Sequence, residues 1–232
     1  MPYYQLSDSD TRFPDPQLAE SDGLIAVGGD LNPERLINAY ASGIFPWYSE
    51  DQPILWFSPN PRLILYPQKF KLSDSLRRIV KSKKFSIKMD TRFEEVIRSC
   101  SKAPRPDQDG TWITEDMVQA YIKLHKMGIA HSFEAYQKDS LVGGLYGISL
   151  GNAFFGESMF HSVANASKVA FHALVTFCNQ NNFSFIDAQV PTEHLKSLGA
   201  EEVSRELFLE LLDQCLGNKT KQGSWSHSAI ET

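Results

Sequence analysis

The sequence predicts an α+β fold in which a small, loop-rich N-terminal domain precedes a larger domain built on a mixed sheet. Turn-forming residues crowd the first 61 positions. Three helical patterns then precede three strand patterns, and a helix–strand–helix order follows, which is typical of an α+β fold. We therefore predict domains over 1–61 and 62–216, and a disordered polar tail over 217–232.

Composition bounds what such a chain can be. Of 232 residues, 42% are hydrophobic and 22% are charged, which is enough to build a core. There is no apolar run of transmembrane length and no signal-like N-terminus, so we expect a soluble cytoplasmic protein without a membrane partner. The three cysteines are too far apart for a disulfide framework, and no histidine spacing or phosphate loop predicts a metal, ATP or another cofactor. These cysteines are Cys100, Cys178 and Cys215.

Charge is distributed unevenly along the chain. Residues 1–61 carry 2 Lys/Arg against 9 Asp/Glu, residues 62–105 carry 13 against 4, and residues 106–232 carry 8 against 15. A basic segment between two acidic ones can bind phosphates while the acidic remainder limits indiscriminate binding. A solvated basic face without a partner explains the same pattern, and charge alone leaves both interpretations open.

One helix is well marked in the N-terminal domain. Asn32 is a favoured N-cap, Pro33 occupies the first helical position, and Gly43 follows the last turn. Its apolar face is predicted to carry Leu36, Ile37 and Tyr40.

The basic segment predicts two further helices. Ser73 is a good N-cap for a helix over 74–81, and Asp90 for a second over 91–100. Charged side chains of the first helix are expected to project into solvent, and two lysines follow its end. These residues are Arg77, Arg78, Lys81, Lys83 and Lys84.

A loop and a third helix lead to the strands. Two prolines, two aspartates and a glycine make 103–110 a predicted loop. Thr114 is the predicted N-cap of a helix that ends before Gly128. The remaining elements are a strand meander over 130–136, 141–150 and 153–159, a helix over 165–179, a strand over 183–189, a helical turn over 193–198, a strand over 201–203 and a helix over 205–215.

Polar residues at two strand ends are candidates for chemistry. Glu157 is flanked by apolar residues, and a carboxylate buried there is costly unless it is paired or functional. Strand alternation leaves open the plainer interpretation that Glu157 faces solvent.

Asp187 and Gln189 are the second candidate. They lie two apart on a strand and so share one face. An amide oxygen can accept a hydrogen bond from an amine nucleophile while the carboxylate fixes the amide. The alternative is that the pair only caps the following turn.

Three tryptophans lie in proline-rich turns or near loops. Trp47, Trp56 and Trp112 are candidate platforms for stacking a nucleic-acid base. Packing in a core is the alternative for each of them.

Taken together, these motifs resemble the leucyl/phenylalanyl-tRNA–protein transferase family. The matching blocks run in order over about residues 13–200. The pairs GGDL with GIFPW and GESMF with ASK are specific in combination. Further matching blocks are LWFSPNPR, the basic SLRRIVKSKKF, LVGGLYG, FIDAQ and HLKSLGA.

The resemblance implies a larger domain similar to the GNAT acetyltransferases. It also implies transfer of leucine or phenylalanine, and less readily methionine, from aminoacyl-tRNA to proteins that begin with lysine or arginine. The product would carry an N-end rule degradation signal. Because the ester of the tRNA is already activated, neither ATP nor a cofactor is required. We expect a monomer whose partners are aminoacyl-tRNA and these acceptor proteins.

The resemblance also implies residue roles. Asp187 and Gln189 match the proposed catalytic pair, and Glu157 matches an active-site glutamate. Leu145 stands where methionine is frequent, which leaves the preference between leucine and phenylalanine open. The implied side-chain pocket is Leu145, Phe154, Met159 and Ile186; Trp47 and Trp112 would contact the terminal adenosine; and Arg77, Arg78, Lys81, Lys83 and Lys84 would grip the tRNA.

Two other functions fit parts of the sequence. A GNAT enzyme that uses acetyl-CoA would carry a glycine-bearing loop before the helix at 165–179, and the segment 160–164 has no glycine. An adaptor that binds tRNA or a degradation signal without catalysis is the non-enzymatic alternative, against which the intact Glu157, Asp187 and Gln189 argue.

Overall fold

A computed structural model describes residues 3–7, 9–104 and 111–228 of the chain. Most of the predicted loop over 103–110 and the last four residues of the predicted tail lie outside the described residues. The helices of the described part are α1 Pro33–Ala41, α2 Asp74–Lys81, α3 Phe93–Lys102, α4 Glu115–Lys126, α5 Ala166–Gln180, α6 Glu193–Ser197 and α7 Arg205–Leu216.

The described residues before Arg62, which we call the N-terminal segment (residues 3–7 and 9–61), form a four-stranded sheet. Trp56 lies in its centre, where the ring is fully buried, packs edge-on against Phe13, and donates its indole N–H to the Gly28 carbonyl at 2.9 Å. Trp56 is therefore a packing residue and not a stacking platform, as the alternative interpretation held. The strands, in the spatial order β1-β2-β4-β3, are β1 Tyr4–Leu6, β2 Leu24–Gly28, β3 Phe45–Pro46 and β4 Leu55–Phe57.

A seven-stranded sheet forms the rest of the framework. Strands β9 and β10 run parallel, and the other neighbouring pairs are antiparallel, so the predicted α+β class with a mixed sheet is confirmed. In the spatial order β11-β5-β10-β9-β8-β7-β6, these strands are β5 Arg62–Leu65, β6 Ser86–Met89, β7 Ala130–Gln137, β8 Ser140–Leu150, β9 Ala153–His161, β10 Phe185–Gln189 and β11 Glu201–Val203.

Of the four N-caps predicted from the sequence, two are confirmed and one is wrong. The fourth, Asn32, occupies the N-cap position of α1, but its side chain makes no capping hydrogen bond. The side chains of Ser73 and Thr114 accept hydrogen bonds from backbone N–H groups three residues later. Asp90 does not cap α3, which begins at Phe93. The Asp90 carboxylate lies beside His131 Nδ1 and accepts the backbone N–H groups of Ser132 and Trp225, so it holds β7 and the C-terminal segment instead.

The prediction of a disordered tail is wrong for its described part, residues 217–228. Trp225 is only 1% exposed, stacks on His131 with a ring separation of 3.4 Å, and packs against Phe177 of α5. Polar composition concealed this tryptophan anchor, since one buried indole removes a large apolar area from water.

Two apolar cores lie on opposite faces of the large sheet. One lies under α5 and includes Phe133 and Phe177, and the other joins the N-terminal sheet to α4 and α7. Residues 58–61 connect the two sheets. Because one apolar core contains residues from both sides of this connection, the division into two domains remains a prediction. Among the described residues, none of the helices has the length and the hydrophobicity that a membrane-spanning helix requires.

Candidate active site

A cavity of about 370 Å³ opens where the N-terminal segment meets strands β8 to β10. Its walls are mainly apolar, and its carboxylate and amide groups come from the middle of β9 and the end of β10. The prediction that Glu157 lies at a strand end is wrong, because β9 continues to His161. The lining includes Phe45, Pro46, Trp47, Trp112, Leu145, Tyr146, Glu157, Met159, Phe171, Leu174, Ile186, Asp187, Gln189 and Leu195.

Glu157 is buried in the wall of this cavity. Its Oε1 accepts a hydrogen bond from Gln189 Nε2 at 2.8 Å, and its Oε2 accepts one from the Tyr121 hydroxyl at 3.1 Å. The Tyr121 hydroxyl also shares a short hydrogen bond with Tyr40 of α1. With 9% of Glu157 exposed, the interpretation that it faces solvent is excluded.

The pKa of Glu157 is raised to about 7, mainly by burial and in smaller part by the nearby Asp187 charge, against the lowering effect of hydrogen bonds from tyrosine and Gln189. A carboxyl group with a pKa near neutrality exists in both protonation states at physiological pH. It can therefore exchange a proton or hold an ammonium group without a large energetic cost.

Gln189 has a backbone conformation that is unusual for a residue other than glycine. A bulge interrupts the pairing of β10 after Asp187, and Gln189 has a φ of 62°, in the left-handed region that non-glycine residues rarely adopt. The bulge turns the amide of Gln189 into the cavity, where its nitrogen is fixed by Glu157. Because only the nitrogen can donate to the carboxylate, the amide oxygen is the end that can accept from a ligand.

Asp187 stabilises this bulge through a hydrogen bond to its backbone. Its Oδ1 accepts the backbone N–H of Gln189 at 2.9 Å. The predicted pairing of the two side chains is corrected here, since Asp187 fixes Gln189 through the main chain and Glu157 fixes its amide. Asp187 therefore caps the backbone turn as the alternative interpretation held, and the catalytic role of the pair remains a prediction.

Arg62 completes the group, and sequence reasoning missed it. Its guanidinium donates two hydrogen bonds to the Asp187 carboxylate, at 2.9 and 2.6 Å, and both side chains are fully buried. The signal available was a single arginine directly before the apolar run of β5. Helical spacing places Tyr40 and Tyr121 on apolar helix faces, so it does not predict the hydrogen bonds that their hydroxyl groups make.

Three of the four predicted pocket residues line the cavity, namely Leu145, Met159 and Ile186. Phe154 does not. Its ring is fully buried behind the cavity wall and packs against Phe133 and Trp225. Aromatic and aliphatic residues from β3 and α5, which the sequence did not indicate, complete the apolar wall.

The two tryptophans predicted to contact adenosine lie at the cavity, and the predicted tRNA-binding residues lie elsewhere. Trp47 and Trp112 are half-buried and line it, and Trp47 packs edge-on against Phe57. The basic residues do not line the cavity but are exposed on α2 and the turn after it; α2 packs against α5, which contributes Phe171 and Leu174 to the wall. These basic residues are Arg77, Arg78, Lys81, Lys83 and Lys84.

Comparison with known proteins gives one family. The family model described as leucyl/phenylalanyl-tRNA protein transferase matches residues 64–213, and the model of that family's N-terminal domain matches residues 29–60. A leucyl/phenylalanyl-tRNA–protein transferase of Desulfatibacillum aliphaticivorans is 55% identical, with 97% of each chain covered. One from Legionella pneumophila (strain Paris) is 52% identical, with 94% of this chain and 98% of that protein covered.

Likeness to solved structures is looser. A structure of L-PGS from Bacillus licheniformis has a TM-score of 0.45 and 10% identity, and covers 84% of this chain and 74% of that one. An aminoglycoside acetyltransferase from a soil metagenome has a TM-score of 0.35 and 15% identity, and covers 50% of this chain and 85% of that one. Neither likeness is close enough to carry an argument about chemistry.

Proposed function

The chain belongs to the leucyl/phenylalanyl-tRNA–protein transferase family, and we propose that it moves leucine or phenylalanine from aminoacyl-tRNA to the N-terminus of an acceptor protein. The hydrogen bond between Glu157 and Gln189 in the wall of an apolar cavity is the observation that carries this proposal. This hydrogen bond fixes the amide nitrogen of Gln189, which supports a role for the amide oxygen in binding an amine beside a pocket for a large apolar side chain.

The reaction forms one bond and breaks another. The neutral α-amine of the acceptor attacks the ester carbonyl of the aminoacyl-tRNA, the new C–N bond forms, and the C–O bond to the terminal ribose breaks. The amine loses a proton and the ribose oxygen gains one, so atoms and charge balance without ATP. The enzyme's main contribution is then to orient two reactants, which can lower the barrier by several kcal/mol.

Three polar residues at the cavity have a role in the proposed reaction. The Gln189 oxygen accepts a hydrogen bond from the attacking amine and aligns its lone pair with the ester. Glu157 fixes the amide of Gln189 and, with a pKa of about 7, can take up a proton that the amine releases. Asp187 acts through the main chain of Gln189 and not as the general base, because its carboxylate is held by Arg62.

Apolar residues define the aminoacyl side chain. Leu145, Met159 and Ile186 line the cavity together with Phe171 and Leu174. One methylene in such a pocket is worth only about 1–3 kcal/mol, so methionine is used less readily but not excluded. Trp47 and Trp112 would stack on the terminal adenosine, and the five basic residues on and after α2 would bind the tRNA backbone.

The acceptor is a protein with an N-terminal lysine or arginine, and the product carries an N-end rule degradation signal. We place the reaction in the cytoplasm and expect the chain to act as a monomer. Among the described residues, Glu157 is a carboxylate of the cavity wall that no arginine holds, which favours a cationic acceptor.

A transfer assay tests the proposal. Purified protein is mixed with tRNA carrying labelled leucine and with two peptides that differ only in their first residue, arginine or glutamate. Label on the arginine peptide alone, without ATP or acetyl-CoA, is the expected result. No label on either peptide, with tRNA still bound, would leave a binding adaptor; label that requires acetyl-CoA would point to an acetyltransferase.

A further inference from the structure

We propose that Arg62 is a positioning residue that locks the two walls of the cavity to each other. Its guanidinium binds Asp187 on the wall that carries Gln189, and it binds the Gly43 carbonyl beside the wall that carries Trp47. The inference rests on the proposed transfer reaction and adds to it a residue that does not touch the substrates.

The first wall depends on Arg62 through a short chain of contacts. Arg62 holds both oxygens of Asp187, and Asp187 Oδ1 accepts the backbone N–H of Gln189. This N–H belongs to a residue in the left-handed conformation, which is unfavourable for glutamine unless neighbouring groups fix it. Displacement of Asp187 would release the bulge and move the Gln189 amide away from Glu157.

The second wall depends on the Nη1 group of the same guanidinium, which makes no hydrogen bond to Asp187, and on the faces of its plane. Arg62 Nη1 donates to the Gly43 carbonyl at 3.2 Å, and the Arg62 guanidinium lies 4.9 Å from the centre of the Phe45 ring and 4.4 Å from that of Phe208. Gly43 directly precedes the segment 44–47, whose last three residues line the cavity. Arg62 thus contacts the N-terminal segment, β10 and α7 at once.

Only arginine has the geometry for these contacts. A planar guanidinium donates two parallel hydrogen bonds to a carboxylate, stacks between aromatic rings and still has an N–H for a carbonyl. Lysine carries the same charge but offers a single ammonium point, so it can neutralise Asp187 without orienting it. The substitution Arg62→Lys therefore separates orientation from charge.

The experiment measures single-turnover and steady-state transfer by wild type, Arg62→Lys, Asp187→Asn and the double variant. We expect Arg62→Lys to lower kcat on the order of 10²-fold, because small misplacement of reacting groups is costly. KM for the peptide and for aminoacyl-tRNA should stay within about twofold, because Arg62 contacts neither substrate. In the Asp187→Asn background, Arg62→Lys should cause no further loss, since both changes interrupt the same chain of contacts.

Arg35 supplies the matched control. It is an equally buried arginine that binds Asp30 and two backbone carbonyl groups of the N-terminal segment, and it does not line the cavity. Arg35→Lys should leave the kcat of the folded protein unchanged. The folded fraction of every variant is measured by circular dichroism at the assay temperature, so that loss of fold is not counted as loss of kcat.

Three results would overturn the inference. These are an Arg62→Lys protein that transfers at the wild-type rate, losses in the two single variants that multiply in the double variant, and a fall in kcat that matches the unfolded fraction. Failure of the proposed function looks different, because wild type and Arg35→Lys would then also transfer no label.

Discussion

At the scale of single residues, the unusual group is Glu157, a buried carboxyl group that accepts two hydrogen bonds but has no arginine or lysine partner within the described residues. It is surrounded by Tyr40 of α1, Tyr121 of α4 and Gln189 of β10. Asp187, which is paired with Arg62, lies nearby. Burial therefore dominates and raises the Glu157 pKa to about 7, above its ordinary value of 4.5.

This pKa predicts a pH-dependent stability. Between pH 4.5 and 7, the unfolded chain has released the Glu157 proton while the folded chain retains it, so stability falls as pH rises through this window. The total cost above pH 7 is up to about 3 kcal/mol. Glu157→Gln removes it, so the unfolding free energy of the variant should exceed that of wild type at pH 8 and equal it at pH 4.5. Denaturant unfolding at both pH values checks this, and a difference independent of pH would contradict it.

The substitution Gln189→Asn tests whether the position of the amide affects transfer more strongly than it affects stability. Asparagine keeps the amide and tolerates the left-handed conformation better than glutamine, but its amide lies one methylene farther from Glu157. Gln189→Asn should reduce transfer on the order of 10²-fold. The unfolding free energy should fall by only about 1–3 kcal/mol, because the buried hydrogen bond to Glu157 is lost while the easier left-handed backbone offsets part of that cost. Gln180→Asn, at the exposed end of α5, is the control and should change neither. Full activity of Gln189→Asn would remove the amide oxygen from the mechanism.

Prediction from sequence identified the polar residues of β9 and β10 but not their partners. Glu157, Asp187 and Gln189 stand out locally, because each is a polar group within an apolar segment. Arg62 and Tyr121 are distant from them along the chain, and each looks like an ordinary strand or helix residue by itself. Their roles follow only from the packing of β5 and α4 against the cavity.

At the scale of elements, long segments with strong periodicity were predicted well and short or mixed ones were not. The helices α1, α2 and α4 and the meander β7–β9 follow the predicted bounds closely, because caps and alternation are local signals. Strands β5 and β6 were missed. Each has only four residues. β5 is buried throughout and shows no alternation, while β6 alternates between exposed and more buried positions over too few residues to mark a strand.

The C-terminal segment should stabilise the fold through one side chain. Trp225 is almost completely buried against His131, Phe177 and Phe183, so Trp225→Ala should cost about 3–5 kcal/mol. At about 2–4 °C per kcal/mol for a chain of this size, the melting temperature should fall by roughly 10 °C. Lys219→Ala, an exposed position in the same segment, is the control. Equal melting temperatures for Trp225→Ala and wild type would restore the prediction of a free tail.

The basic surface of α2 makes a prediction about tRNA binding. Replacement of Arg77, Lys81 and Lys83 by glutamate should weaken tRNA binding and flatten its salt dependence, by about 0.9 in the log–log slope for each duplex phosphate that the variant no longer neutralises. The control replaces Lys123 and Lys126 of α4 by glutamate, since α4 packs on the opposite face of the large sheet. Binding measured over a series of salt concentrations decides the matter. Equal slopes for wild type and the α2 variant would show that these residues bind no phosphate.

At the scale of the whole molecule, the candidate active-site cavity lies where the N-terminal segment meets the large sheet. One apolar core contains Trp56 and Leu36 from that segment together with Phe155 and Phe208 from the rest of the chain. The Tyr40 and Tyr121 hydroxyl pair and the contact of Arg62 with Gly43 cross the same boundary. Charge and turn composition predicted a boundary near residue 62, but they carry no information on how much surface is buried across it.

This continuity predicts that the chain unfolds as one cooperative unit. Leu36→Ala removes a fully buried side chain from the shared core and should cost about 2–5 kcal/mol. Because the core is common, hydrogen exchange measured by mass spectrometry should accelerate by the same factor in the slowest-exchanging amides of β2 and of β8, although Leu36 belongs to the N-terminal segment. Leu174→Ala, in the core under α5, should accelerate both strands equally as well. If Leu36→Ala accelerated β2 alone, the N-terminal segment would be an independently folding domain and the cavity a boundary between two separable parts.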